Sequence, residues 1–158
     1  ENQDTQPGQS LASTVAPWFK AAAYAIILFN EAGVPCVFWG DLLGSPESDD
    51  LPAVRELPIL MSIRARAAVG PQHNAFDNPD VVGFAREGKD EVPGSGCAVI
   101  LSDRMGAEKT LYVGHRHAGQ EWECVIGGHP SVRVADDGTL TGVVSDGGLS
   151  VYVPRSNA

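Results

Sequence analysis

The sequence predicts an α/β segment followed by an all-β segment with an antiparallel sandwich. Two observations support this. Residues 17–70 show apolar runs in the order helix, strand, helix, and the chain beyond Pro79 shows short β-branched runs separated by Gly, Asp and Pro. The pattern changes within residues 71–80. We therefore predict one unit at residues 1–75 and a second at residues 76–158.

The first half reads as two helices around one strand. A proline opens residues 17–33 and a glycine ends them, and apolar side chains lie nearly all round this predicted helix. Residues 34–39 form a short unbroken apolar run, typical of a strand in a parallel sheet that is covered on both faces. A second helix is predicted over residues 58–69. Because one strand and two helices cannot bury their apolar faces alone, we expect further chain around them.

The second half has the spacing of an antiparallel sandwich. The predicted strands are residues 81–86, 97–101, 110–113, 122–126, 132–134, 140–144 and 149–153. Residues 137–138 and 146–148 carry Asp-Gly sequences that tolerate positive φ, which predicts hairpin connections there. The glycine-rich residues 94–96 predict a turn rather than a phosphate loop, because no helical pattern follows them.

Composition limits the classes of partner. The formal net charge of -9 argues against a nucleic acid, whose phosphates are bound mostly by Lys and Arg. No run approaches the ~20 apolar residues that a membrane helix needs. A neutral ligand such as a sugar fits this charge better.

The cysteines and the opening residues give information about the cellular compartment of the protein. Cys36, Cys97 and Cys124 lie in apolar runs, where we expect buried free thiols rather than metal ligands. Free thiols and the absence of a glycosylation sequon favour the cytoplasm. The chain opens without an initiator Met or a targeting segment, so it reads like the interior of a longer protein.

A family resemblance rests on ordered strings along the whole chain. The opening ENQDTQPGQSL, residues 1–11, resembles the fourth signature region of the α-amylases of glycoside hydrolase family 13. Further strings follow in the register of one subgroup of that family: WFK at 18–20, YAIIL at 24–28, PCVFWGD at 35–41, DVVGF at 80–84, REG at 86–88, PGSG at 93–96, LSD at 101–103, YVG at 112–114 and HAG at 117–119. Each string alone is weak, but their order and spacing together are specific.

The resemblance implies a particular architecture. Residues 1–75 would be the last part of a TIM-type β/α barrel: the end of strand seven, helix seven, strand eight and helix eight. Residues 76–158 would be an antiparallel Greek-key β-sandwich. Since a whole barrel takes ~250 residues, most of the barrel and most of its active site would lie outside this sequence.

The resemblance also implies site residues. Retaining glycosidases use a nucleophilic carboxylate and an acid/base carboxylate ~5 Å apart; in this family they follow barrel strands four and five, neither of which is in this sequence. Asp4 matches the third carboxylate, which stabilises the transition state. Gln3 stands where the family has a sugar-binding His, which predicts weaker hydrolysis or a shift towards glucan transfer because a Gln amide is never charged. Asp41, just past strand eight, is a candidate for a sugar subsite.

Ligands and partners follow from the same resemblance. It implies an α-1,4-glucan of the starch or glycogen type as substrate and the rest of the catalytic domain as partner. It allows calcium in the complete enzyme, with ligands mostly upstream, and predicts no metal bound by this segment. The acidic residues Glu47, Asp49 and Asp50 are interpreted as a solvated loop, since calcium needs at least about six converging oxygens.

Histidines and tryptophans receive simpler interpretations. His115 and His117 could form a metal pair, but nothing in the sequence accompanies them as a third ligand, which favours a surface turn. Trp18, Trp39 and Trp122 could stack on sugars, but core packing is favoured for all three.

Two functional hypotheses result. In the first, the chain is the C-terminal portion of an α-amylase-type glycosidase and is inactive alone. In the second, it is a stand-alone β-sandwich module that binds glucan or another protein. The first predicts exposed apolar side chains within residues 17–29 and 36–39, and the second predicts a fully covered helical part.

Overall fold

The computed structural model describes Asn2, residues 4–44 and residues 51–155. The helical elements are a 3-10 turn at Pro17–Phe19, α1 at Lys20–Phe29, α2 at Trp39–Leu43, α3 at Leu57–Arg66 and a 3-10 turn at His115–His117. The strands are β1 Gln72–Ala75, β2 Val81–Arg86, β3 Cys97–Ser102, β4 Ala107–Tyr112, β5 Glu121–Ile126, β6 Val132–Arg133, β7 Thr139–Val144 and β8 Leu149–Pro154. None of the helices in the described ranges is long and apolar enough to cross a membrane.

The strands form two antiparallel sheets. The larger sheet has the order β1-β2-β3-β8-β5-β6, and the smaller sheet pairs β4 with β7. The chain leaves the larger sheet for β4 and for β7 and returns to it each time. This confirms the antiparallel β domain predicted from the spacing of the β-branched runs.

The larger sheet is covered on both faces. Every residue of β3 is buried; Val99 packs in the same cluster as the helices, whereas Ala98 and Ile100 pack with the smaller sheet. Successive side chains of a strand point to opposite faces, so both sets must be apolar when both faces are covered. This explains why β3 has an unbroken apolar sequence although its neighbours are antiparallel.

The helices and the larger sheet share one core. Phe29 of α1 and Leu60 of α3 lie in the same buried cluster as Val151 of β8. Arg86 of β2 reinforces the junction: its Nη1 donates to the Phe29 carbonyl at 2.9 Å and its Nε to the Gly70 carbonyl at 2.9 Å. Burial of the guanidinium lowers the pKa of Arg86. The end of α1 is thereby fixed to the sheet.

Both predicted helices exist, but the first is shorter than predicted. Helix α1 ends at Phe29, and residues 30–33 are not helical. Asn30 has an extended ψ of 141°, which ends the helix before Gly33 is reached. The larger sheet starts at Gln72, so β1 falls on the N-terminal side of the predicted division at residue 75.

The predicted strand at residues 34–39 is wrong for this chain. Residues 34–38 are irregular and Trp39 begins α2, while Val34 is 96% exposed. A strand is held by hydrogen bonds to a neighbour, and no strand in the described ranges pairs with this segment. Its assignment as the last barrel strand stays a prediction for a chain that includes the preceding strands.

Both predicted turns are present and closed by backbone hydrogen bonds, but the strands on either side of each turn belong to different sheets. Gly138 has a φ of +80° and Gly147 a φ of +55°, as their predicted turns require. The first turn joins β6 to β7 and the second joins β7 to β8, and each therefore passes from one sheet to the other. Turn chemistry determines where the chain reverses, but not which sheet receives the next strand.

The burial predictions have mixed outcomes. Trp122 and Cys97 are fully buried, as predicted, and Cys124 is half-buried. The predictions of burial for Trp18 and Trp39 are wrong, since these side chains are 57% and 64% exposed, and Cys36 is exposed as well. Their segments are apolar, but no other described segment of this chain covers them.

Candidate functional site

Asp4 lies on an exposed turn that is organised by Asn2. The Asn2 side-chain oxygen accepts hydrogen bonds from the backbone N–H of Asp4 at 2.9 Å and of Thr5 at 3.1 Å. The Thr5 carbonyl in turn accepts from the Ser13 N–H at 3.0 Å, which closes the following loop. An Asn side chain that bonds its own backbone two residues on is a common way to fix a turn. The Asp4 carboxylate is exposed and makes no side-chain hydrogen bond to the described chain, so it is available to a ligand.

Several predicted residues fall outside the part of the chain that the structure describes. Gln3, the proposed replacement of the family His, is one of them. The acidic residues Glu47, Asp49 and Asp50 are the others. The roles proposed for these four residues remain predictions from the sequence.

Asp41 is buried in a polar cluster. It is 2% exposed and lies in the first turn of the short helix α2. Lys20 Nζ donates to its Oδ1 at 2.7 Å, and Tyr24 Oη donates to its Oδ2 at 2.7 Å. A charged carboxylate can be buried only with such partners. Asp41 therefore joins the first turns of α1 to α2, and its role towards a sugar stays a prediction.

The cluster borders two cavities. A cavity of about 210 Å³ is lined by Lys20, Tyr24, Cys36 and Asp41 among others. Lys20 also lines a second cavity of about 300 Å³, together with Pro7 from the loop after Asp4. The buried lysine thus stands between the loop that follows Asp4 and the cluster around Asp41.

Lys20 and Tyr24 were not identified from the sequence as site residues. They stand four positions apart in α1, so they share one helix face. A single lysine within an otherwise apolar helix was the available signal, because a buried cation requires a partner of opposite charge.

Only one of the two histidines predicted to lie on a surface turn is at the surface. His115 is exposed, but His117 is 3% exposed, so the surface prediction is wrong for His117. Its ring lies between the Glu87 carbonyl at 2.7 Å and Gln120 Oε1 at 2.8 Å, and it meets the Trp122 ring edge-on at 5.0 Å. These contacts give His117 a packing role. Among the described residues, no group of three or more His, Cys, Asp or Glu side chains could hold a metal ion.

Large apolar side chains are exposed in the first part of the chain. The following are all more than a third exposed: Leu11, Trp18, Ile26, Ile27, Val34, Trp39 and Leu43. Large apolar side chains that are exposed together usually mark a surface that another part of a protein covers. This is the outcome that the first of the two functional hypotheses predicts.

Comparison with known proteins identifies the family. No protein-family model matches the chain. The α-amylase of Geobacillus stearothermophilus is 42% identical over 157 residues, which are 98% of this chain and 28% of that protein. The cytoplasmic α-amylase of Escherichia coli is 39% identical over 96% of this chain and 32% of its own length. The chain belongs to the α-amylase family.

The chain corresponds to a C-terminal portion of these α-amylases. It spans 28% to 32% of the length of the curated relatives that it matches. A solved α-amylase structure from Anoxybacillus superposes with a TM-score of 0.61 at 18% identity, over 100% of this chain and 38% of that chain. At such identity the superposition shows a common fold. The resemblance drawn from the opening motif and the strings that follow it is thereby confirmed.

Proposed function

We propose that this chain is the C-terminal portion of an α-amylase-type glycosidase that acts on α-1,4-glucans, and that Asp4 stabilises the transition state. The observation that carries the proposal is the exposed Asp4 carboxylate on its Asn2-organised turn. A carboxylate that stabilises an oxocarbenium-like transition state must face the sugar rather than a protein partner. The similarity to α-amylases over almost the whole chain supports this assignment.

The chain alone is inactive under this proposal. The nucleophilic Asp and the acid/base Glu of the family belong to signatures that the sequence does not contain. Asp4 can strengthen hydrogen bonds to a distorted sugar ring, but it cannot by itself supply both covalent and acid/base steps. Activity therefore requires the remaining part of a catalytic barrel.

The exposed apolar side chains favour this proposal over a stand-alone binding module. A module would cover its own helices, whereas Trp39 and Val34 are 64% and 96% exposed. We infer that the upstream part of a barrel covers them.

A chimera tests the proposal. The upstream part of the Geobacillus stearothermophilus α-amylase would be joined to this chain in place of its own C-terminal portion, and starch hydrolysis would be measured. We expect a folded, active chimera whose kcat falls roughly 10²- to 10³-fold on Asp4→Asn substitution, the loss typical when one transition-state hydrogen-bonding group is removed. Asp136→Asn, at an exposed turn of the β domain, is the matched control and should leave kcat unchanged. A folded and active chimera with an unchanged kcat after Asp4→Asn would contradict the role of Asp4.

Gln3 gives a second test in the same chimera. We infer that the neutral amide weakens hydrolysis relative to transfer, because it cannot supply the charge that a His can carry. Gln3→His should raise the ratio of hydrolysis to glucan transfer, measured from the chain lengths of the products. An unchanged ratio would remove this inference and leave the role of Asp4 intact.

A further inference from the structure

Asp41 connects three separate segments of the chain. Its carboxylate accepts hydrogen bonds from Lys20 Nζ and from Tyr24 Oη, each at 2.7 Å, and its backbone carbonyl accepts one from the Val54 N–H at 2.7 Å. Tyr24 Oη also accepts a hydrogen bond from the Phe38 N–H at 3.3 Å. The start of α1, the segment before α2 and the segment before α3 are therefore held together at one point. We call Lys20, Tyr24 and Asp41 the Asp41 cluster.

A continuous set of hydrogen bonds leads from the turn of Asp4 towards α1. Asn2 Oδ1 accepts from the N–H groups of Asp4 and Thr5, and the Asn2 N–H donates to Thr5 Oγ1 at 3.1 Å. The Thr5 carbonyl accepts from the Ser13 N–H at 3.0 Å, so the loop between these two residues returns to its own start. The chain after Ser13 continues through one 3-10 turn into α1. The position of the start of α1 therefore limits where the Asp4 turn can lie.

The same loop also lies beside the Asp41 cluster. A cavity of about 300 Å³ is lined by Lys20, by Pro7 of the loop and by residues 52–56, among others. Residues 52–56 are the segment that the Asp41 carbonyl holds through Val54. Lys20 and Asp41 are 8% and 2% exposed, so the surrounding chain fixes both side chains. The Asp41 cluster thus sets the position of two of the surfaces that face the loop after Asp4.

In the proposed barrel these groups belong to one face. The active face of a β/α barrel is built from the C-terminal ends of the strands and the loops that lead into the helices. Asp4 would end strand seven, Lys20 would lie at the start of the following helix, and Asp41 would follow strand eight. All three would therefore belong to the catalytic face, with Asp4 exposed and the other two buried.

Stability alone does not explain a buried ion pair. Replacing a whole buried pair with neutral groups of similar volume is often neutral or stabilising, because both charges must otherwise be taken out of water. We propose that Lys20, Tyr24 and Asp41 are positioning residues, which hold the Asp4 turn at the place that the reaction requires. The inference rests on the proposed function, because the three residues act through Asp4. A catalytic group that is misplaced by about 1 Å can lose up to about 10²-fold in rate.

A variant of the chimera that removes both charges tests the proposal. Lys20→Met/Asp41→Asn leaves no unpaired buried charge, and circular dichroism and the thermal midpoint would show that it is folded. We expect kcat for starch to fall roughly 10- to 10²-fold with little change in KM, the pattern of a loss in the transition state. Lys109→Met/Asp77→Asn removes the ion pair between β4 and the loop after β1. It is the matched control and should leave both constants unchanged.

The Asp4→Asn background shows whether the loss passes through Asp4. Once the carboxylate is gone, Lys20→Met/Asp41→Asn should have little further effect on kcat, because residues that act as a unit are not additive. A pair that only stabilises the fold would lower the amount of folded enzyme by the same factor in both backgrounds.

Tyr24→Phe tests the same idea with almost no change in volume. It removes the hydroxyl that bonds Asp41 and Phe38 but keeps the ion pair. We expect a smaller loss of kcat, roughly two- to tenfold, which should again be absent in the Asp4→Asn background. Tyr112→Phe, at a side chain of β4 that is 37% exposed, is the control. If Lys20→Met/Asp41→Asn did not fold, this variant would decide the question.

The outcomes separate this inference from the catalytic proposal. An unchanged kcat in the folded cluster variants, or equal losses with and without the Asp4 carboxylate, would overturn the inference and leave the role of Asp4 intact. An unchanged kcat after Asp4→Asn alone would remove the catalytic proposal and this inference with it. A loss of kcat that disappears in the Asp4→Asn background would establish the Asp41 cluster as the support of the Asp4 turn.

Discussion

Lys20 Nζ lies 2.7 Å from Asp41 Oδ1, and both side chains are at least nine-tenths buried. The two residues belong to different helices, and the ion pair joins α1 to α2. Tyr24 Oη adds a hydrogen bond to the second carboxylate oxygen and accepts one from the Phe38 N–H at 3.3 Å. The irregular segment between the two helices is therefore tied to the same cluster.

Lys20→Met should destabilise the chain strongly. It removes the cation and leaves a buried carboxylate, a change that typically costs about 3 to 5 kcal/mol. The free energy of unfolding would be measured in urea with tryptophan fluorescence as the probe. Lys109→Met is the matched control, because Lys109 is also buried but its partner Asp77 is 78% exposed and stays hydrated after the substitution. Equal losses in the two variants would contradict the assigned burial of the Lys20–Asp41 pair.

Cys97 should make the stability fall in alkaline solution. Burial raises the pKa of its thiol from 9.0 to about 12. Below pH 9.0, the ordinary pKa that the thiol has in the unfolded chain, the thiol is protonated in both the folded and the unfolded chain. Its contribution to stability is therefore intact there. Between that value and about 12 the unfolded chain releases a proton that the folded chain keeps, and stability declines by about 1.4 kcal/mol per pH unit.

Urea unfolding over this alkaline interval measures the effect of the Cys97 thiol. Cys97→Ala should flatten the alkaline decline relative to the unsubstituted chain, whereas Cys36→Ala, at an exposed thiol, should leave it as it is. The same difference in exposure predicts that Cys36 reacts with a thiol reagent in the folded chain and that Cys97 reacts only on unfolding. Equal slopes for the two variants would refute the assignment.

The strands could be predicted where the sequence shows a run of apolar β-branched residues. The apolar β-branched runs of β2, β3 and β8 were located correctly because both faces of these central strands are covered. Strand β1, with the sequence QHNA, was missed. It lies at the edge of the larger sheet, and its strand conformation comes from pairing with β2 rather than from its own side chains.

The candidate site was predictable only through its motif. Asp4 carries no local signal beyond its turn, and the resemblance of the opening residues supplied its assignment. The partners of Asp41 could not be derived, because Lys20 is separated from it by 21 positions and meets it only after α1 and α2 pack. Trp39 was misassigned to the core because an apolar run does not reveal whether the chain that covers it is present.

Gly142→Ala should destabilise the sandwich. Gly142 lies in β7 opposite Lys109 of β4, and an added Cβ would stand 2.7 Å from both Ile100 Cδ1 and Tyr152 Cε2. Those side chains belong to the fully buried layer between the sheets. Such overpacking typically costs about 1 to 3 kcal/mol, measurable as a lower urea midpoint. Thr141→Ser, at the exposed neighbouring position, should change it little, and a Gly142→Ala midpoint equal to that of the unsubstituted chain would show that the layer can expand.

Trp39→Ser should affect self-association in the isolated chain and stability in the chimera with an upstream barrel. In the isolated chain Trp39 is 64% exposed, so its removal should lower self-association, measured by sedimentation equilibrium, with little change in the free energy of unfolding. In the chimera the proposed barrel covers Trp39, and the same substitution should lower the thermal midpoint because a buried indole is lost. Phe76→Ser, at a side chain 59% exposed just after β1, is the control for a general loss of surface apolarity. If Trp39→Ser left the thermal midpoint of the chimera unchanged, the upstream part of the enzyme would not cover this side chain, and the stand-alone module would become the better account of the exposed apolar residues.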